Sequence, residues 1–339
     1  MTDPNLAPPS FLRALGRKMA RFSGTLARWG LSWVNHNNTA STQRWLVRLG
    51  TEFELDETGQ MNGVTFGQNQ ISDAGLSRLQ GLTSLQKLCL GGTQISDAGL
   101  VHLQGLTNLQ SLFLSKTRIT DDGLRHLRGL TNLQRLDLGS TQVTDAGLAS
   151  LQALRNLQSL SLCATQVTGA GLAYLKALSK LQRLDLDGTR ITDSGLVHLT
   201  GLTNLEDLGL VGTRVSDVGL AQVAVLEKLE TLYISDTQVS DAGLVHLGQL
   251  SHLKSLALEM THITGPGLVH LKRLSWLKEL YLSNTPINDA GIMHLKGLIN
   301  LEFLWLGTSA TRSNLVTDAD VAELQQALPG CCIDRCIDQ

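Results

Sequence analysis

The chain has 339 residues, of which 42% are hydrophobic and 17% charged, with a net charge of −2 and a mean hydropathy of +0.03. No apolar run approaches the roughly 20 residues that cross a bilayer. Residues 52–339 hold 21 basic against 29 acidic side chains, a balance that speaks against a nucleic-acid partner. Five cysteines at unlike positions give no disulfide framework, which fits a reducing, cytoplasmic setting.

Residues 1–42 form a basic leader and linker. Arg13, Arg17, Lys18, Arg21 and Arg28 lie in a stretch without acidic residues. On a helix through 11–34, Phe11, Leu15, Met19, Phe22, Leu26, Trp29 and Trp33 share one face while the arginines take a separate arc. Gly16, Gly24 and Gly30 each cost such a helix about 1 kcal/mol relative to alanine, so it needs a surface to form on. Three readings stay open: packing onto the end of the repeat region, a leader without fixed structure, or peripheral contact with a membrane through residues 11–34. Residues 35–42 read as a polar linker. Residues 43–70 read as an amino-terminal cap, with a short helix around Trp45, Leu46 and Leu49 ended by Gly50, a strand at Phe53 and Leu55, and a first ladder strand around Val64.

From residue 71 to 306 one phrase recurs at a fixed period, its Ile/Val position falling at Ile71, Ile95, Ile119, Val143, Val167, Ile191, Val215, Val239, Ile263 and Ile287. A unit this small cannot bury its own apolar face, so neighbours must stack into a solenoid. In the coil 109–130, Leu109, Leu112 and Leu114 alternate as an inward strand face, and Thr120 or Asp121 caps a helix of about two turns carrying Leu124, Leu127 and Leu130. Thr117 has a counterpart in every coil from Thr93 to Thr285, and this column is expected to bond the backbone of the next coil. Gly123 recurs from Gly75 to Gly291, which implies a neighbouring coil too close for a Cβ. The expected fold is an α/β right-handed solenoid of eleven parallel strands, Val64 to Leu304, with short convex helices. Strands about 4.8 Å apart against helices about 10 Å apart curve the sheet into a concave face. Residues 307–339 hold five residues in excess of the period, within 309–314, and a carboxyl-terminal cap.

The pattern LxxLxLxxTxI(T/S)DxGLxxLxxL resembles leucine-rich repeats, most closely the 24-residue bacterial type abundant in planctomycete proteins. It is similar also to the cysteine-containing repeats of F-box substrate receptors, although the column that is cysteine or asparagine there is threonine here. The ending Leu328-Pro329-Gly330-Cys331-Cys332-Ile333 is similar to the closing phrase of that group. The resemblance implies a protein-binding scaffold, or a substrate-recognition subunit in protein turnover.

The recurring Asp and His residues are weak catalytic markers because the coil itself repeats them. His102, His126, His198, His246, His270 and His294 share one position, but neighbouring helices are too far apart for two rings to bind one zinc, and exposed stacking is expected instead. No catalytic residue, cofactor site or metal site is assigned; an enzyme with an unrecognised site is the rival reading. The informative departures are on the outward strand positions. Phe113, Asp137, Asp185, Asp187, Tyr233, Asp236, Glu259, Glu279, Tyr281, Phe303 and Trp305 are the candidate protein-binding residues of a monomer, acidic at the centre and aromatic toward the carboxyl-terminal end.

Overall fold

The structure is a computed structural model that describes residues 39–68, 70–307 and 316–335. The basic stretch 11–34 and the excess residues 309–314 lie outside the described residues.

Among the described residues thirteen strands form one sheet in strict chain order. The hairpin β1 (Glu52–Leu55) and β2 (Met61–Thr65) is antiparallel, pairing Phe53 with Val64. From β2 onward every pair is parallel. The strands β3 to β12 recur from Lys87–Cys89 to Phe303–Trp305 at an unbroken offset of one repeat, so that Leu88 pairs with Leu112 and Leu280 with Leu304. The eleven expected strands are β2 to β12. β1 is the cap hairpin, while β13 (Cys332–Asp334) adds a strand beyond the expected count by setting Ile333 against Leu304. At the other end the cap helix Thr39–Arg48 begins within the expected linker, because Leu46 is fully buried and Trp45 lies 6.1 Å from Phe66.

Leucine decides the path within a coil. Leu109, Leu112, Leu114, Leu124, Leu127 and Leu130 are all completely buried, each removal from water being worth about 1.5–3 kcal/mol. The convex element is shorter than a two-turn α-helix: one α turn, Asp121–Leu124, followed by one 3-10 turn, Arg125–Leu127. Tighter winding keeps Leu124 and Leu127 on the same buried face.

Thr120 caps this turn by accepting from the Asp122 amide. The adjacent aspartate reaches across the coils instead. Asp121 Oδ1 accepts from the Thr144 amide at 2.8 Å and its Oδ2 from the Thr144 hydroxyl at 2.6 Å. The same clasp joins Asp97 to Thr120, Asp145 to Thr168, Asp193 to Ser216 and Asp217 to Ser240. It resumes beyond the excess residues, where the Thr317 amide donates to Asp289 Oδ1 at 2.8 Å. This explains the glycine column: a Cβ on Gly123 would fall on Asp97 Oδ1, and one on Gly147 on Asp121 Oδ1. Two junctions lack the aspartate. There glycine abuts glycine, and a Cβ on Gly169 would lie 2.5 Å from the Gly195 Cα.

The threonine column differs from expectation. Thr141 and Thr165 donate to the carbonyls of Leu138 and Leu162, both at 2.6 Å, within their own coil. A buried hydroxyl three residues after a carbonyl of its own turn finds it before any neighbour. Bonds between coils at this level come from the backbone, as in Gln142 N to Ile119 O at 2.9 Å. A column of asparagines adds side-chain links, with Asn108, Asn132 and Asn156 donating to the carbonyls of Thr83, Thr107 and Thr131.

Candidate protein-binding face

The parallel register aligns the outward side chains into rows. One row runs Cys89, Phe113, Asp137, Ser161, Asp185, Gly209, Tyr233, Ala257, Tyr281, Trp305, Asp334. Of the candidate residues, Asp137 and Asp185 lie two strands apart here, Tyr233 and Tyr281 flank Ala257, and Trp305 adjoins Tyr281. Phe113 is remote from those aromatics, five strands before Tyr233. Glu279 and Phe303 are neighbours in the parallel row that also holds Arg135, Arg183 and Asp207. Asp236 is not on a strand. It occupies the turn, at φ 54°, where other coils carry Gly92, Lys116 or Gly188 in the same left-handed conformation. An aspartate tolerates that conformation better than most side chains, and the position serves the turn first.

The central carboxylates form one interior-like cluster. Asp185 accepts from the Ser161 hydroxyl at 2.9 Å and from the Asp187 amide at 3.0 Å, while Asp187 accepts from the Val211 amide at 2.8 Å. Burial raises Asp137 and Asp185 above the usual carboxylate range. Burial and the Asp185 charge push Asp187 up to about 7. Gly209 makes the room, since a Cβ there would lie 2.7 Å from Asp187 Oδ1. Cys163, not singled out among the outward residues, sits in this cluster beside Gly139. Burial and Asp185 drive its thiol up to about 12, so it stays protonated and is a poor nucleophile.

The carboxyl-terminal part combines rings with carboxylates. Glu279 accepts from the Tyr281 hydroxyl at 3.3 Å and the Ser255 hydroxyl at 3.0 Å. Glu259 accepts from the Ser235 hydroxyl at 3.3 Å. Tyr233 is pushed up to about 12 by burial and then by Asp207 and Glu279, and Tyr281 rises further through burial and Glu279. Both phenols therefore remain hydrogen-bond donors. Beside them Ser283 Oγ is buried without a hydrogen-bond partner among the described residues. Phe303 is 43% exposed.

The histidine column is half-buried or exposed, and two of its rings pair with glutamines of the preceding coil, Gln80 with His102 at 2.9 Å and Gln104 with His126 at 2.7 Å. Among the described residues no group of three His, Cys, Asp or Glu side chains is placed to hold a metal ion. The four described cysteines are free thiols, Cys331 buried and Cys332 exposed.

Family models described as leucine-rich repeat match residues 107–150, 155–215 and 273–296. No curated protein sequence matches the chain. Among solved structures it is similar to an internalin (inlF) of Listeria monocytogenes, at 26% identity and a TM-score of 0.60, over 78% of this chain and 77% of that one. An internalin C2 (inlC2) of the same organism is 29% identical over 68% of this chain and 83% of that one, with a TM-score of 0.43. A leucine-rich-repeat protein of Leptospira interrogans is 18% identical over 76% and 80%, with a TM-score of 0.42.

Proposed function

We propose that this leucine-rich-repeat chain is a non-catalytic scaffold that holds a protein partner on the concave face of its sheet. The observation that carries the reading is the row Tyr233, Ala257, Tyr281, Trp305. Its backbone is already paired on both sides and its leucines are buried, so the outward rings serve nothing in the ladder. Half-buried aromatics beside carboxylates suit an interface centre, and they suit a partner that brings arginine or lysine to the Glu279 carboxylate, while Asp207 is already paired with Arg183 at 2.7 Å. We also assign the repeats to the 24-residue bacterial type, on their unbroken period.

The test is replacement of Tyr281 and Trp305 together by alanine in the full chain, followed by affinity capture from an extract of the source cells and a melting curve. Partners held by the native chain should be lost, because truncating central aromatics commonly costs about 2 kcal/mol of binding or more. The melting midpoint should stay within about 2 °C of native, since neither ring enters the core. Capture that survives this pair of changes places the partner elsewhere.

A further inference from the structure

We propose a second, separate site, a groove for a neutral linear oligosaccharide, along the flank where the chain turns from the convex side into the sheet. It has a volume of about 380 Å³. One wall is the column Gln86, Gln110, Gln134 and Gln158, and the other is the asparagine column at 108, 132 and 156. Lys180 closes one end, donating to Asn156 Oδ1 at 2.7 Å.

The two walls differ in what the fold asks of them. The asparagine amides are committed to carbonyls of the preceding coil and hold the coils together. At the glutamines only the backbone is committed, Gln110 N to Gln86 O at 2.7 Å and Gln134 N to Gln110 O at 2.8 Å, while the four side chains make no hydrogen bond among the described residues. The repeat does not require glutamine here. In later coils the column becomes Glu206, Glu230, Lys254, Lys278 and Glu302, with Lys254 bridging to Glu230 and Lys278 to Glu302. The glutamine run extends one coil further to Gln182, whose amide donates to Glu206 Oε1 at 3.2 Å, so the four glutamines with uncommitted side chains are those that line the groove.

The chemistry of the lining narrows the ligand. A pocket without apolar or aromatic walls lacks what anchors a drug-like molecule or a protein hot spot. With a single lysine it lacks the charge for a polyanion. Primary amides donate and accept at once, as hydroxyl groups do, so a polyhydroxylated, uncharged chain can satisfy them in any order. Spacing separates a glycan from a peptide. Coils repeat at about 4.8 Å, whereas an extended peptide repeats a side-chain direction only at about 6.8 Å and falls out of step. A linear hexopyranose chain advances by close to one coil per ring, so four rings match four glutamines.

Calorimetric titration of the full chain with cellotetraose, mannotetraose and chitotetraose tests this, with the corresponding disaccharides and tetragalacturonate for comparison. At least one neutral tetrasaccharide should bind more tightly than its disaccharide and than tetragalacturonate. Q110E/Q134E should weaken that binding at least tenfold with an unchanged melting midpoint, because the native chain already carries adjacent glutamates in this column at 206 and 230. Tyr281→Ala with Trp305→Ala should leave it intact, which separates this site from the protein-binding face. The proposal is overturned by lack of binding of all three neutral tetrasaccharides at millimolar concentration, by undiminished affinity in Q110E/Q134E, or by a native dimer that Q110E/Q134E dissociates.

Discussion

Asp187 shows what a single residue on the sheet face costs and offers. The fold holds its carboxyl up to about 7 by burial and by the charge of Asp185, whereas an unfolded aspartate titrates at about 3.9. Between those values the native state keeps a proton that the unfolded chain has lost, so this residue's contribution to stability falls as pH rises from about 4 to about 7. Asp187→Asn removes the effect while retaining an oxygen for the Val211 amide. Urea unfolding across that range should show a flatter pH profile for the variant, and above pH 7 a stability higher than native by roughly 2 kcal/mol. An unchanged pH profile would refute the assignment. The same titration bears on binding, because only above that range does the cluster present its full negative charge to a basic partner.

At the scale of the coil, the aspartate clasp and the glycine opposite it are one device. Asp121→Ala removes both bonds to Thr144 and leaves its half-buried amide unpaired, which should cost about 2 kcal/mol. Gly147→Ala puts a methyl group on the Asp121 carboxylate and should cost at least as much. The two changes together should cost less than their sum by about 1 kcal/mol or more, since the first removes the obstacle to the second. A double-mutant cycle by chemical unfolding measures this coupling. Strict additivity would mean that the glycine answers to Leu124, whose Cδ1 lies 3.0 Å from the added Cβ, and not to the clasp.

For the molecule as a whole, the unbroken offset between strands makes a coil a removable unit. Excision of residues 119–142 joins Arg118 to Val143 in phase and leaves Asp97 facing Thr144 as it now faces Thr120. The shortened chain should fold with unchanged circular dichroism per residue, and its melting midpoint should drop by only a few degrees. Ending the chain at Gly307 should be far worse. It strips β13 and the closing helix Asp318–Ala327 from β12, exposing Leu304, Leu306 and the unpaired edge, and should give aggregation in light scattering.

The period alone fixed much of this. Once Ile71 to Ile287 recur in step, the inward leucines, the parallel sheet and the register that aligns Tyr233, Ala257, Tyr281 and Trp305 all follow, because identical coils can stack only in phase. The recurrence of Gly123 likewise announced a close approach. What approaches it was not legible, since a column of identical residues does not say whether Asp121 caps its own turn or reaches Thr144, nor whether Thr141 bonds its own coil or the next. Burial could not be read either: Ser111, outward by alternation, is covered through its bond to Arg135 of the next coil, and Asp185 is sunk beside Ser161. The free amides of Gln86 to Gln158 looked like ordinary surface until the fold set them opposite the committed asparagines. Each of these depends on which side chain or carbonyl of an adjacent coil a residue meets, and only the stacked tertiary structure sets that distance and direction.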